Sequence, residues 1–315
     1  MKNDNKQTAE FCDNYPAVSR RKFVKMAGAS LVVLSLPTRL SFAIESVEKT
    51  KNNPKIVWIL LRGALDSLHT IVPTFEPAYK KLRPTLSSSF KSSLLPLEKG
   101  FALHPSLKNL HQWYQEKSLI PVVAVSSGYS KRSHFDGQDF LESGKHEIDH
   151  DSGWLARAIE IKNKKALAIS RSTPISLRGS KQVNTWYPST LKNADDDIYS
   201  ALNQLYQYDK VLKNNLTKGL EIKGLVGINN SKNKRKKGKF VELAKACAKL
   251  MKEGEGVDCA MIELGGWDTH NNQSNRLEQK LSELDSGLAQ LKLGLEDEWK
   301  NTVVIISTEF GHTVK

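Results

Sequence analysis

Cysteine is scarce in this chain, with three residues in 315. Cys12 lies in a segment expected to be removed, and Cys247 and Cys259 fall on an expected helix and an expected strand. That allows one disulfide in an oxidising compartment and excludes a disulfide framework. Long hydrophobic runs are also missing. No stretch approaches the ~18 apolar residues of a membrane span, so no stable transmembrane anchor is expected. Basic and aromatic residues do not interleave as they do on nucleic-acid-binding surfaces, and nucleic acid is not an expected partner.

Acidic residues are the minority charge, 34 against 47 Lys and Arg, for a net charge of +13. Without the first 43 residues the chain still holds 40 bases against 31 acids, an excess of +9. Such an excess favours anionic substrates or surfaces by long-range steering. The densest cluster, Lys232, Lys234, Arg235, Lys236, Lys237 and Lys239, surrounds Asn233 and Gly238 and reads as a solvated loop. Hydrophobic residues at 39% and charged residues at 26% are those of a globular protein, and the length suits one large domain or two modest ones.

What is present begins with an address. Ser19-Arg20-Arg21-Lys22-Phe23-Val24-Lys25 has the form of a twin-arginine export signal. A modest apolar segment, Met26 to Leu36, follows it, and a small-residue site ends at Ala43. The expectation is a signal peptide over 1–43, cleaved after Ala43, with the twin-arginine translocase as partner and the periplasm or cell envelope as destination. That route moves folded proteins, which is compatible with a metal inserted before export.

Downstream, short apolar runs alternate with helical periodicity, the pattern of a doubly wound α/β fold with a mostly parallel sheet. Strands are expected at Ile56–Leu61, Ile120–Val125, Ala166–Ser170, Ala260–Leu264 and Thr302–Ser307. Residues 73–105, with five prolines, read as a long surface excursion, and 206–239 as polar low-complexity sequence. Leu277, Leu281, Leu284, Leu288, Leu291, Leu295 and Trp299 recur in steps of four and three and mark one face of a long helix packed on the sheet.

In open α/β sheets ligands bind beyond the carboxyl ends of the strands, so polar residues just after an apolar run are site candidates. Cys259-Ala-Met-Ile-Glu-Leu-Gly-Gly-Trp-Asp268-Thr-His270 is the clearest such stretch. Carboxylate and imidazole both ligate divalent cations, and a loop can converge them; the alternative is that Asp268 or Thr269 caps the helix starting near Asn275. Asp66, after Arg62-Gly63, either ligates a cation or caps the next turn. Ser133 and Asp136 form a capping box, and a serine at a helix N-terminus is also where an attacking hydroxyl meets a bound anion. Ser67, Ser126, Ser127 and Ser130 compete for that role.

Arg62-Gly-x-x-Asp66, Arg132-Ser133-His134-Phe135-Asp136-x-Gln138-Asp139, Gly-Gly-Trp-Asp268-Thr-His270 and Ser307-Thr-Glu309-Phe-Gly311 occur in this order. Together they resemble the bacterial family called domain of unknown function 1501, over roughly Pro54 to Lys315. The resemblance implies an alkaline phosphatase-like fold around a two-metal site binding divalent ions (Zn, Mn, Mg or Ca). It implies Asp66, Asp268, His270 and Glu309 as metal ligands, Ser133 with His134 as catalytic residues, and Arg62 and Arg132 facing an anionic small-molecule ester. The expected activity is hydrolysis of phosphate or sulfate esters. The family has glycine where Ser67 stands and arginine where His312 stands, and carries a further Asp-His motif after its Glu-Phe-Gly segment. The domain over 44–315 is therefore expected to be incomplete at its C-terminus. The alternative function is an exported scaffold that keeps the fold without turnover, partnered by a second exported envelope protein.

Overall fold

In a computed structural model, the described residues are 53–188, 196–226, 239–254 and 256–312. Arg20, Arg21, Cys12, the cleavage site at Ala43 and most of the 232–239 basic cluster lie outside them. Among the described residues no helix is long and apolar enough to cross a membrane.

The strands are β1 (Lys55–Leu61), β2 (Ile71–Pro73), β3 (Leu95–Pro96), β4 (Phe101–Leu103), β5 (Lys165–Ile169), β6 (Val183–Thr185), β7 (Val257–Leu264) and β8 (Thr302–Thr308). Helices α1 (Ser67–Thr70), α2 (Pro77–Leu82), α3 (Pro84–Ser87), α4 (Lys108–Gln115) and α5 (His134–Ser143) precede β5, with α6 (Trp154–Ile161) just before it. After β6 come α7 (Asp196–Leu205), α8 (Lys210–Val226) and α9 (Lys239–Glu253), and α10 (Gln273–Leu295) joins β7 to β8.

The main sheet has the order β6-β5-β7-β1-β8, and every pairing in it is parallel. Parallel neighbours need crossovers, and these place helices over both faces, so central strands are apolar on both sides. β1 shows the consequence. Val57, Ile59 and Leu61 join α4, α9 and α10 on one face, while Trp58 and Leu60 join Leu155 and Ile159 of α6 on the other. The fold is the doubly wound α/β arrangement.

α10 buries six leucines, Leu277, Leu281, Leu284, Leu288, Leu291 and Leu295, each worth about 1.5–3 kcal/mol. It lies so close to α9 that a Cβ on Gly287 would fall 2.1 Å from the Phe240 ring. The seventh residue of the pattern, Trp299, sits in the 3-10 turn that follows and packs on the same core. Residues 73–105 hold more order than expected, since β2, β4 and β3 form a small antiparallel sheet.

Two expectations are corrected. Residues 120–125 form no strand: Ile120 is 83% exposed and Val125 73%. Pro121 lacks an N–H, and Ala124 sits at φ 58°, which breaks an extended run. The stretch 206–239 is not uniformly irregular, because α8 occupies Lys210–Val226. Cys247 and Cys259 are buried and free. Burial pushes both thiols up, Cys259 to about 12, which keeps them as inert core groups.

Candidate functional site

Register decides where the site lies. Leu61 pairs with Leu264 on one side and with Thr308 on the other, so β1, β7 and β8 end level and three loops leave the sheet together. The β1 loop carries Arg62 to Asp66, the β7 loop Asp268 to His270, and the β8 loop Glu309 to His312. Arg62 N–H donates to Leu264 O, and Trp267 N–H donates to Arg62 O, which ties the first two loops. Gly63 has φ 115°, and a Cβ there would lie 2.5 Å from the Asp268 nitrogen, so only glycine allows this approach.

Asp268, His270 and His312 offer ligand atoms that all lie within 4.8 Å of one another, a grouping that can hold a metal ion. His270 Nε2 is 2.6 Å from Asp268 Oδ1, and the two imidazoles are 5.0 Å apart between centroids. Asp268 does not cap α10, whose N-cap is Asn272. Nε2 of His312 is buried and has no hydrogen-bond partner.

Glu309 is 2% exposed and faces inward. Its Oε1 accepts from the N–H groups of Gly63 (2.7 Å) and Ala64 (3.0 Å) and lies 2.9 Å from Nδ1 of His134. The other side of the His134 ring points to the cluster, with Nε2 3.9 Å from Asp268 Oδ2. Phe310 stacks on that ring with centroids 4.9 Å apart. His134 is the first residue of α5, and its neighbour Ser133 caps the helix by accepting from Asp136 N–H at 3.2 Å. That bond uses a lone pair and leaves the serine proton free to donate.

Asp66 is placed differently. It is buried, caps α1 through His69 N–H, and pairs with the Arg83 guanidinium at 2.6 and 2.7 Å. Gln273 Nε2 donates to its second oxygen at 2.5 Å. Arg62 lies on the rim and pairs with Glu263 at 3.1 Å. Burial, followed by neighbouring Glu142, raises the Glu263 pKa, and Arg62 partly offsets both. Glu142 is itself held by Gln138 Nε2 at 2.6 Å and Ser176 N–H at 2.9 Å. Arg132 is exposed.

A family model described as "Protein of unknown function (DUF1501)" matches residues 133–315. This chain belongs to that family. The DUF1501 match opens at Ser133 and takes in His134, Asp268, His270, Glu309 and His312, while Arg62 and Asp66 precede it. Among curated proteins none matches.

The structure thus brings together Asp268 and His270, and through His134 it reaches Glu309. It sets the Asp66 carboxylate in a separate buried network. Sequence reading missed His312, although the usable signal was there: it follows the end of β8 just as His270 follows the end of β7.

Proposed function

We propose that this protein is an exported, divalent-metal-dependent hydrolase of phosphate or sulfate esters in the alkaline phosphatase-like superfamily. The convergence of Asp268, His270 and His312 carries this reading, with the partnerless Nε2 of His312 as its fit test. An unsatisfied buried polar atom costs about 1–3 kcal/mol, and a coordinated cation would remove that cost. Two imidazoles and one carboxylate suit Zn, whereas Mn, Mg and Ca favour oxygen donors. A divalent ion held there would supply Lewis-acid polarisation of an ester oxygen.

This chain's own residues account for the rest of the site. Ser133 presents its hydroxyl at the start of α5, where first-turn N–H groups favour an anionic oxygen. Arg132 beside it and Arg62 across the rim add positive charge for an anionic ester. The oxygens of Asp66 are occupied by Arg83, Gln273 and the α1 cap, which favours a centre built on the exposed cluster. The Ser19 to Lys25 motif, with Arg20 and Arg21, supports export by the twin-arginine translocase.

The test is bound metal by elemental analysis and turnover of chromogenic phosphate and sulfate monoesters, for the wild-type chain and Asp268→Ala. Both signals should fall to background in the variant. Unchanged metal content there would remove Asp268 from the ligand set.

One observation favours a second reading, an exported binding protein without turnover. Ile120, Val122 and Val125 form an exposed apolar stretch close in sequence to the catalytic candidates. Metal-free protein that co-purifies with one stoichiometric envelope partner would put this reading first.

A further inference from the structure

We propose that His134 is the fourth protein ligand of the Asp268, His270 and His312 centre, and that Glu309 serves it as an outer-shell orienting carboxylate. The inference rests on the metal-binding reading above and deepens it: with four protein ligands an ester oxygen would have to enter as a fifth, and His134 and Glu309 take different tasks from those their motifs suggest.

The argument starts at Glu309. Its Oε1 accepts two backbone N–H groups, from Gly63 and Ala64, and a backbone N–H can only donate. That oxygen is therefore an acceptor toward His134 as well, and the 2.9 Å contact requires the proton on Nδ1. With three donors converging on it, Oε1 has no lone pair left for a cation. The carboxylate is also 2% exposed, and its other oxygen, Oε2, accepts from Thr308 Oγ1 at 3.0 Å.

A neutral imidazole that donates from Nδ1 carries its lone pair on Nε2. Nε2 of His134 lies on the cluster side, 3.9 Å from Asp268 Oδ2. Two ligand bonds of about 2.0–2.1 Å at a tetrahedral angle separate their ends by about 3.3–3.4 Å, so Nε2 must move toward the cluster by about half an ångström to share an ion with Asp268 Oδ2. The ring is held in this attitude from two sides, by the Glu309 bond and by the stacked Phe310. Metal-bound histidines commonly donate their other ring N–H to a carboxylate, which fixes the tautomer and strengthens the ligand. Here that carboxylate is itself anchored by the loop whose Gly63 admits Asp268. The elements that fix the orienting group and the elements that deliver a ligand are thus the same.

The experiment is a competition titration of the metal-stripped full chain with Zn, together with the visible spectrum of the Co-loaded protein. Wild type, His134→Ala and Glu309→Gln are compared, with circular dichroism checking the fold of each. Glu309→Gln should weaken Zn binding about 10- to 100-fold, and His134→Ala by at least as much. His134→Ala should also change the Co spectrum, because one nitrogen ligand is lost. His134 is partly exposed, so its variant keeps the test open if Glu309→Gln fails to fold. Wild-type affinity and an unchanged Co spectrum in His134→Ala would overturn the inference and leave the three-residue site standing. Absence of Zn binding by wild type would instead overturn the metal-binding reading on which it rests.

Discussion

Asp66-Ser-Leu-His69 and Asp268-Thr-His270 are built from the same two functional groups, and each follows a strand of the same sheet through a glycine-containing turn. Their surroundings are opposite. Asp66 and His69 are buried, with Arg83, Gln273 and the α1 cap on the carboxylate and Tyr79 on the imidazole at 2.9 Å. Asp268 and His270 have side chains 43% and 66% exposed, and they face another imidazole instead of a cation. A carboxylate closed by a guanidinium is a structural element. A carboxylate open beside two imidazoles is a grouping that could hold a metal ion, and the pair shows that residue type alone does not separate the two.

The difference can be broken most strongly from the buried side. Arg83→Met leaves a buried carboxylate without its cation and should cost about 3–5 kcal/mol of unfolding free energy, read by denaturant titration at pH 7. Bound metal per folded chain should stay unchanged, which separates the two clusters. Equal loss of metal would mean that Asp66 belongs to the exposed centre after all.

The buried imidazole predicts a pH dependence. Burial is the main cause that lowers the His69 pKa to about 4, with Asp66 opposing the shift and His104 and Arg83 adding to it. Between pH 6.5 and about 4 the unfolded chain binds a proton that the folded chain refuses, so stability falls as pH drops through that window. The loss is on the order of 3 kcal/mol. His104, also lowered by burial, acts in the same direction. Unfolding curves from pH 7.5 to 4 should show this slope, and His69→Gln should flatten it.

Gly63→Ala sharpens the comparison at the hinge between the clusters. A side chain at φ 115°, with its Cβ 2.5 Å from Asp268 N, should cost about 1–3 kcal/mol and displace Asp268, lowering metal affinity as well. The smallest expected effect on stability belongs to Asp268→Ala. In metal-free protein, removing this exposed side chain should change unfolding free energy by no more than about 0.5 kcal/mol, although on the proposed function the same change should abolish metal binding.

The legible part of this molecule follows one physical rule. β1, β5, β7 and β8 announce themselves as short apolar runs, because burial on both faces of a parallel sheet demands it. α10 announces itself by leucines every three or four residues, since one face meets the core. The loops after β1, β7 and β8 were legible as candidate site positions for the same reason. Ile120 to Val125 shows the limit: its apolar run satisfies the rule for a strand, yet Pro121 and the left-handed Ala124 deny it the extended backbone that pairing needs. α8 was missed although Leu212, Leu216 and Leu220 recur in steps of four, because lysines, asparagines and glycines crowd the positions between them.

By itself, then, the sequence determined the α/β class, the helix faces and the family, because apolar spacing and ordered motifs are local properties of the chain. Only the tertiary structure decided which polar groups meet. Gln273 reaches Asp66 across 207 residues, Glu309 reaches His134 across 175, and His312 joins Asp268 and His270 through the common end of three strands. A carboxylate becomes a salt-bridge partner, an orienting group or a metal ligand according to which donors fill its lone pairs. That is settled by distances in space, which no local pattern encodes.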